Sequence, residues 1–187
     1  MAPLRTALIG TDQLPLAELC AARLDGELYA LAGLYCPVDL PEFPALRAES
    51  LRPIIPARGF VERLSAAWVH GAIDTAPVRA QFALPSSEGV RPSIRTSSEV
   101  RQVVIGATEL MSINGCLLTT PVRTIADLLL DATLSDERAI TIADRLARQA
   151  GCTPSSVRAA LLARYRLPGM TRAESRLASW RASFSRR

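Results

Sequence analysis

Lysine is missing from this chain of 187 residues: all 22 basic side chains are arginine. That excludes Schiff-base chemistry on a lysine amine and the lysine of a phosphate-binding loop. Histidine occurs once, as His70. One imidazole with no Ser or Cys nucleophile tied to it by a motif makes no triad. The four cysteines, Cys20, Cys36, Cys116 and Cys152, form no C-x-x-C pair and none lies near the histidine. Zinc needs clustered ligands, so these read as buried free thiols and no metal is expected. The G-x-S-x-G, H-E-x-x-H, glycine-rich phosphate-loop and Asp-x-Asp patterns are also missing. No apolar run approaches the roughly 18 residues that span a bilayer. The start, MAPLRTALIGTDQ, breaks at Thr11-Asp12, too soon for a signal-peptide core. These absences set the expectation of a cytoplasmic, non-catalytic protein with no cofactor and no membrane partner.

What is present is enough for a core: 49% apolar and 21% charged residues are the proportions of a folded soluble chain. The net charge of +4 hides a gradient. Residues 1–50 hold three arginines against seven acids, residues 51–137 eight against nine, and residues 138–187 eleven against two. A nucleic-acid footprint, if the chain has one, is therefore expected at the C-terminal end, the alternative being a solvated arginine face on surface helices. Arginine suits it, because its planar fork matches phosphate or carboxylate and keeps its charge. Arg138, Arg145 and Arg148 recur at i, i+7 and i+10, roughly one helical face. With Arg158, Arg164 and Arg166 they are the candidates for nucleic-acid or acidic-partner contact, and Arg172 and Arg176 continue the positive region.

Along the chain, LAELCAARL (16–24) reads as a helix stopped by Gly26. DGELYALAGLYCPVD (25–39) reads as a hairpin, so the two together have the shape of a winged-helix end. PVDLPEFP (37–44) is a linker or turn, and ALRAESLRPII (45–55) is helical up to Pro53. Phe60-Val61 reads as a short strand, followed by a short helix with Ser65 as its N-cap, holding Trp68 and ending at Gly71. His70 reads as a structural histidine at that helix end. Strands are expected at 79–85, 92–96 and 101–106, and as a hairpin over 109–120 about Asn114-Gly115. From Pro121 onward, helices are expected at 121–131, 135–149, 154–165 and 171–184. In the last, Ala173, Leu177, Trp180 and Phe184 form one apolar stripe.

LLTTPVRTIADLL (117–129) is the most distinctive local pattern. Thr120 suits an N-cap and Pro121 the first helical position. Arg123 and Asp127 are four apart and share a face. The cation is the one nearer the N-terminus, against the helix dipole. Arg123 is therefore expected to reach a tertiary partner, a carboxylate or carbonyl ends of the sheet.

Several of these stretches together resemble the AbiEi family of antitoxins, in its actinobacterial type. GLYCPVD resembles the G-v-Y-v-P end of that family's wing. SAAWVHG, with Trp68 and His70, resembles the helix opening its second domain. LLTTPVRTIADLL, with Thr120, Pro121, Arg123 and Asp127, resembles its T-T-P-x-R-T-x-x-D-L segment. The order and spacing match from about residue 14 to 165. TRAESRLASWR (171–181) resembles the lead-in to a Vsr-like endonuclease domain carried by longer relatives. The resemblance implies an antitoxin and transcriptional regulator of a type IV toxin–antitoxin system, without a cofactor. Its winged helix would bind operator DNA, and its α/β domain would neutralise a nucleotidyltransferase-like toxin indirectly.

The expected fold is α+β. A partial winged-helix element occupies 1–40, a small mixed or antiparallel sheet with helices 41–131, and an Arg-rich helical region 132–187. Three departures from the family qualify the expectation. About a dozen residues precede LAELCAARL, too few for a full winged helix. Arg23 is the one cation between Thr11 and Leu46, amid six acids. The chain ends at Arg187, where a nuclease core would start, so no cleavage is expected. The competing expectations are a protein-binding module that has lost DNA binding, and a remnant of a nuclease-fused relative.

Overall fold

A computed structural model describes residues 8–88, 98–164 and 168–184. The expected strand over 92–96 lies outside the described residues. The N-terminal element is one helix and one hairpin. Helix α1 (Leu16–Leu24) buries only Leu19. It ends at Gly26, whose φ of 77° is left-handed. Strands β1 (Leu28–Leu31) and β2 (Leu34–Pro37) pair antiparallel. They are joined by Ala32-Gly33, both at positive φ (48° and 95°). Two consecutive left-handed residues make the tight turn whose twist matches the strands. Ile9 adds a single antiparallel bridge to Tyr35, with hydrogen bonds of 2.8 and 2.9 Å. The hairpin packs inward through Leu31 and Cys36, which share a buried cluster with Leu46, Leu51, Val61 and Trp68.

Helix α2 (Pro44–Leu51) has proline in its first turn, where no backbone N–H is missed, and a 3-10 turn (Arg52–Ile54) follows. A five-stranded sheet then forms from β3 (Phe60–Val61), β4 (Ala80–Pro85), β5 (Ser98–Val103), β6 (Leu110–Ile113) and β7 (Cys116–Thr119). Its order is β5-β4-β3-β7-β6. It is mixed: β3/β4 and β6/β7 are antiparallel, β3/β7 and β4/β5 parallel. Asn114-Gly115 makes the β6–β7 turn, again with both φ positive (50° and 75°). Strand β5 starts earlier than its apolar run suggests. It runs in register with β4 from Ala80↔Ser98 to Pro85↔Val103, which leaves Val104 outside the ladder and 80% exposed.

Helix α3 (Arg63–Val69) corrects one expectation: Ser65 is not its cap. Glu62 stands at that position. Ser65 is buried inside the helix, where its hydroxyl accepts the Gln81 N–H at 2.8 Å. The free Leu64 N–H of the first turn goes instead to Gln81 Oε1 at 2.9 Å. A strand partner thus takes over the capping that local sequence assigns to serine.

Four helices follow among the described residues: α4 (Pro121–Leu130), α5 (Asp136–Ala150), α6 (Pro154–Leu162) and α7 (Met170–Phe184). Thr120 and Ser135 cap α4 and α5 by accepting the backbone N–H of Arg123 and Arg138. Gly151, at φ 66°, ends α5. Every residue of α4 from Arg123 to Leu129 is buried. The helix lies between the sheet and the helical core, where Ile125, Leu128 and Leu129 meet Leu146, Leu161, Leu177 and Trp180. The expected stripe of α7 is the packed one. Ala173, Leu177 and Trp180 are buried, and Phe184 meets Trp180 edge-on at 5.8 Å between centroids. Burying Leu177 stabilises the fold by about 1.5–3 kcal/mol. Helices and two sheets give an α+β fold. Among the described residues no helix is long and apolar enough to cross a membrane.

Candidate nucleic-acid or acidic-partner interface

Helix α5 separates its apolar and charged residues cleanly. Ala139, Ile142, Ala143, Leu146 and Ala147 are buried, so the residues on the opposite face stand in solvent. Seven residues are close to two turns, so Arg138 and Arg145 fall one above the other. Both line a groove of about 380 Å³ between α5 and the Ala72–Asp74 loop, floored by Ala72, Ile73 and Ile142. Ser135, Glu137 and Thr141 supply its other polar walls. Arg145 forms a fork-to-fork pair with Asp74, at 2.7 and 3.1 Å, which holds the Asp74 carboxyl below its ordinary pKa. Both side chains are largely in water, at 46% and 76% exposure. Arg138 is exposed, and its guanidinium has no partner among the described residues.

The loop facing α5 is held from behind. Arg47 donates to the Trp68 and Ile73 carbonyls at 2.6 and 3.2 Å, and its Nε donates to Glu42 at 2.6 Å. Its guanidinium also lies 5.4 Å from the centre of the Trp68 ring. Gln149 on α5 donates to the Gly71 carbonyl at 3.2 Å. The groove wall is therefore tied to α2, α3 and α5.

The remaining arginine candidates part ways. Arg148 pairs with Asp144 at 2.9 and 3.2 Å and stacks over Phe184 at 4.6 Å. Arg158 and Arg172 are exposed, with no partner among the described residues. Arg164 turns inward, donating to the Ala160 carbonyl at 2.7 Å and pairing with Glu109, and burial lowers its pKa. Arg166 lies outside the described residues. Arg176 is 2% exposed and points its guanidinium at the end of α4. It donates to the Leu128, Leu129, Asp131 and Leu134 carbonyls and to the Asp136 carboxylate. The continuous positive region expected from spacing thus omits Arg164 and Arg176, whose charges are consumed within the fold.

The residues of the distinctive motifs lie in the interior. Arg123 is 3% exposed. Its Nε donates to Asp127 at 2.9 Å, and its Nη1 to the Val104 carbonyl and to Glu109, each at 3.2 Å. It has both kinds of partner that its position predicts. Burial raises the Asp127 carboxyl above its ordinary pKa, opposed by the guanidiniums of Arg123 and Arg101. Pro121 opens α4 behind the Thr120 cap. His70 closes α3, and its Nε2 lies 2.8 Å from the Thr119 carbonyl. A carbonyl only accepts, so Nε2 carries the proton, and burial lowers the ring's pKa. Trp68 is buried in the sheet-side core, with no hydrogen-bond partner for its Nε1 among the described residues.

One cluster has no local signature. Glu62, wholly buried, takes a bidentate grip from Arg101 at 2.6 and 2.7 Å. Its neighbour Arg63 has a φ of 45° and reaches Glu62, Glu99 and Asp131 at 3.1–3.3 Å. A left-handed arginine costs about 1–3 kcal/mol, so three carboxylates must hold it there. Two of them stand 36 and 68 residues away, beyond any window of sequence pattern. Burial raises the Asp131 carboxyl, but the Thr133 hydroxyl and N–H, together with Arg63, outweigh it and bring its pKa below the ordinary value. Asp74 is the groove residue that sequence reasoning misses, since its partner Arg145 is 71 residues on. Among the described residues no group of three or more His, Cys, Asp or Glu side chains could hold a metal ion.

No family model matches this sequence, and no curated protein matches it. Among solved structures, the crystal structure of the RV2827C protein from Mycobacterium tuberculosis is matched with 18% identity and a TM-score of 0.37. The match covers 93% of this chain and 76% of that one.

Proposed function

We propose that this chain is a non-catalytic, cytoplasmic binding protein, an antitoxin-like transcriptional regulator that contacts DNA through the arginines of α5 and the helices beyond it. The observation that carries the reading is the groove beside α5. There Arg138, unpaired among the described residues, and Arg145, held by an exposed carboxylate, converge on one concave surface. Phosphate neutralisation supplies most of the affinity in such complexes. The N-terminal hairpin is a poor source of it, because its strands and turn carry no cation. The resemblance to AbiEi antitoxins supplies the biological setting, with a nucleotidyltransferase-like toxin as the functional counterpart. A gel shift with the DNA upstream of the chain's own gene tests the reading. A retarded band at low salt supports it, and no band at low salt removes DNA from the account.

A second reading has its own support. Leu16, Leu24 and Val38 are 58%, 86% and 57% exposed on the acidic N-terminal element. Apolar residues at an acidic surface suit a protein partner better than DNA, so this element is assigned to protein contact, either beside the DNA-binding role or in place of it.

A further inference from the structure

The groove contains its own competitor. Arg145 presents two donors side by side, the arrangement that binds either a carboxylate or a phosphate. In the free protein both donors are taken by the two oxygens of Asp74, at 2.7 and 3.1 Å. Neither partner is buried, and an ion pair so open to water adds little to folding. The pair is therefore cheap to exchange. Arg138 lines the same groove, its guanidinium without a partner among the described residues, and the hydroxyl-bearing residues Thr141 and Ser135 line it too. A phosphate bound between the two arginines would interact with both charges at once, which Asp74, committed to Arg145, does not.

We propose that Asp74 occupies the phosphate position of this groove in the free protein, and that a phosphodiester of a nucleic-acid backbone displaces it when it binds across Arg138 and Arg145. Asp74 then sets a threshold. With Glu137 it balances the charge of the two arginines that line the groove, so weak or isolated anions do not displace it, while a polyanion that meets Arg138 and Arg145 together does. The inference rests on the DNA-contact reading above and names how that contact is restrained.

The test uses the full chain and a fluorescently labelled duplex, with anisotropy read at low and rising salt. Wild type, Asp74→Asn, Arg145→Ala, the Asp74→Asn/Arg145→Ala double variant and Glu137→Gln are compared. Asp74→Asn should tighten binding by about 3- to 10-fold at low salt, since it both removes a negative charge and frees a fork. Glu137→Gln makes the same change in net charge without freeing Arg145, and should tighten binding less. In the double variant the part of the gain that comes from freeing Arg145 should vanish, leaving Arg145→Ala tightened only by about as much as Glu137→Gln tightens wild type. If wild type binds and Asp74→Asn binds no tighter, or gains no more than Glu137→Gln, the competitor role is overturned while the DNA reading stands. If no protein in the set binds at low salt, the DNA reading and this inference fall together. A glutamate-rich peptide that displaces the duplex from Asp74→Asn at equal charge would overturn the choice of phosphate.

Discussion

Replacing Arg176 by methionine tests the packing account most severely. The last carbonyls of a helix have no intrahelical partner and need one from elsewhere. At the end of α4 that partner is Arg176. Its Nη1 donates to Leu128, Leu129 and Asp131 at 3.3, 2.9 and 2.7 Å, and its Nη2 to Leu134 at 2.5 Å. Its Nε donates to Asp136 at 2.7 Å. A cation at a helix C-terminus also meets the favourable end of the dipole. Methionine keeps much of the stem's packing but takes away all of the donors. Asp136 stays in water, and the Leu128 carbonyl keeps the Asp131 N–H, but the Leu129, Asp131 and Leu134 carbonyls lose this donor. At about 1–3 kcal/mol for each buried acceptor left unmade, less the desolvation of the cation that is no longer buried, the loss is about 3–5 kcal/mol. For a chain of this size each kcal/mol shifts the melting midpoint by roughly 2–4 °C. The expected loss is on the order of 10 °C by calorimetry or circular dichroism. Arg158→Met, at an exposed arginine with no partner among the described residues, should stay within about 0.5 kcal/mol of wild type. Equal midpoints for the two variants would refute the reasoning.

Two smaller predictions follow from backbone and protonation. An added Cβ at Gly33 meets nothing within 4 Å, so Gly33→Ala isolates the cost of its φ of 95°. The variant should lose about 1 kcal/mol in urea denaturation, and unchanged stability would mean that the hairpin does not need a left-handed turn. The folded pKa of His70 lies below its ordinary 6.5, because burial disfavours the charged ring. The unfolded chain therefore binds the proton more readily between the two values. Stability is whole above pH 6.5 and falls as the pH drops through that window. In His70→Gln the amide can still donate to the Thr119 carbonyl, and this acid-side loss should disappear from urea midpoints measured at pH 8, 6.5 and 5. An identical pH profile in the variant would show that His70 is not its source.

How far the sequence foretells the structure depends on how local each cause is. Thr120-Pro121, Asn114-Gly115 and the stripe of α7 are readable because a cap, a tight turn and a 3.6-residue period are each settled within a few residues. Arg123 is readable for a different reason. Its order relative to Asp127 is wrong for a surface pair, and that misfit points to the partners it has in Val104 and Glu109. Ser65 misleads, since Gln81 on a neighbouring strand takes the capping role. Arg164 and Arg176 mislead as surface cations, because charge and spacing do not reveal which arginines face buried carbonyls. The groove is half legible. Helical spacing brings Arg138 and Arg145 onto one face, but the loop that brings Asp74 opposite them is placed by Arg47 and Gln149 through tertiary contacts.

If α5 presents its arginines to a phosphate backbone, duplex binding must weaken with salt in proportion to the phosphates neutralised. The logarithm of the binding constant should fall linearly with the logarithm of salt concentration, at about 0.9 for each phosphate neutralised. Wild type should bind at low salt, and Arg138→Ala/Arg145→Ala should bind more weakly with a slope shallower by about 2. A wild-type chain that does not bind the duplex at low salt, or a double variant whose affinity and slope match wild type, would mean that these arginines do not contact phosphate.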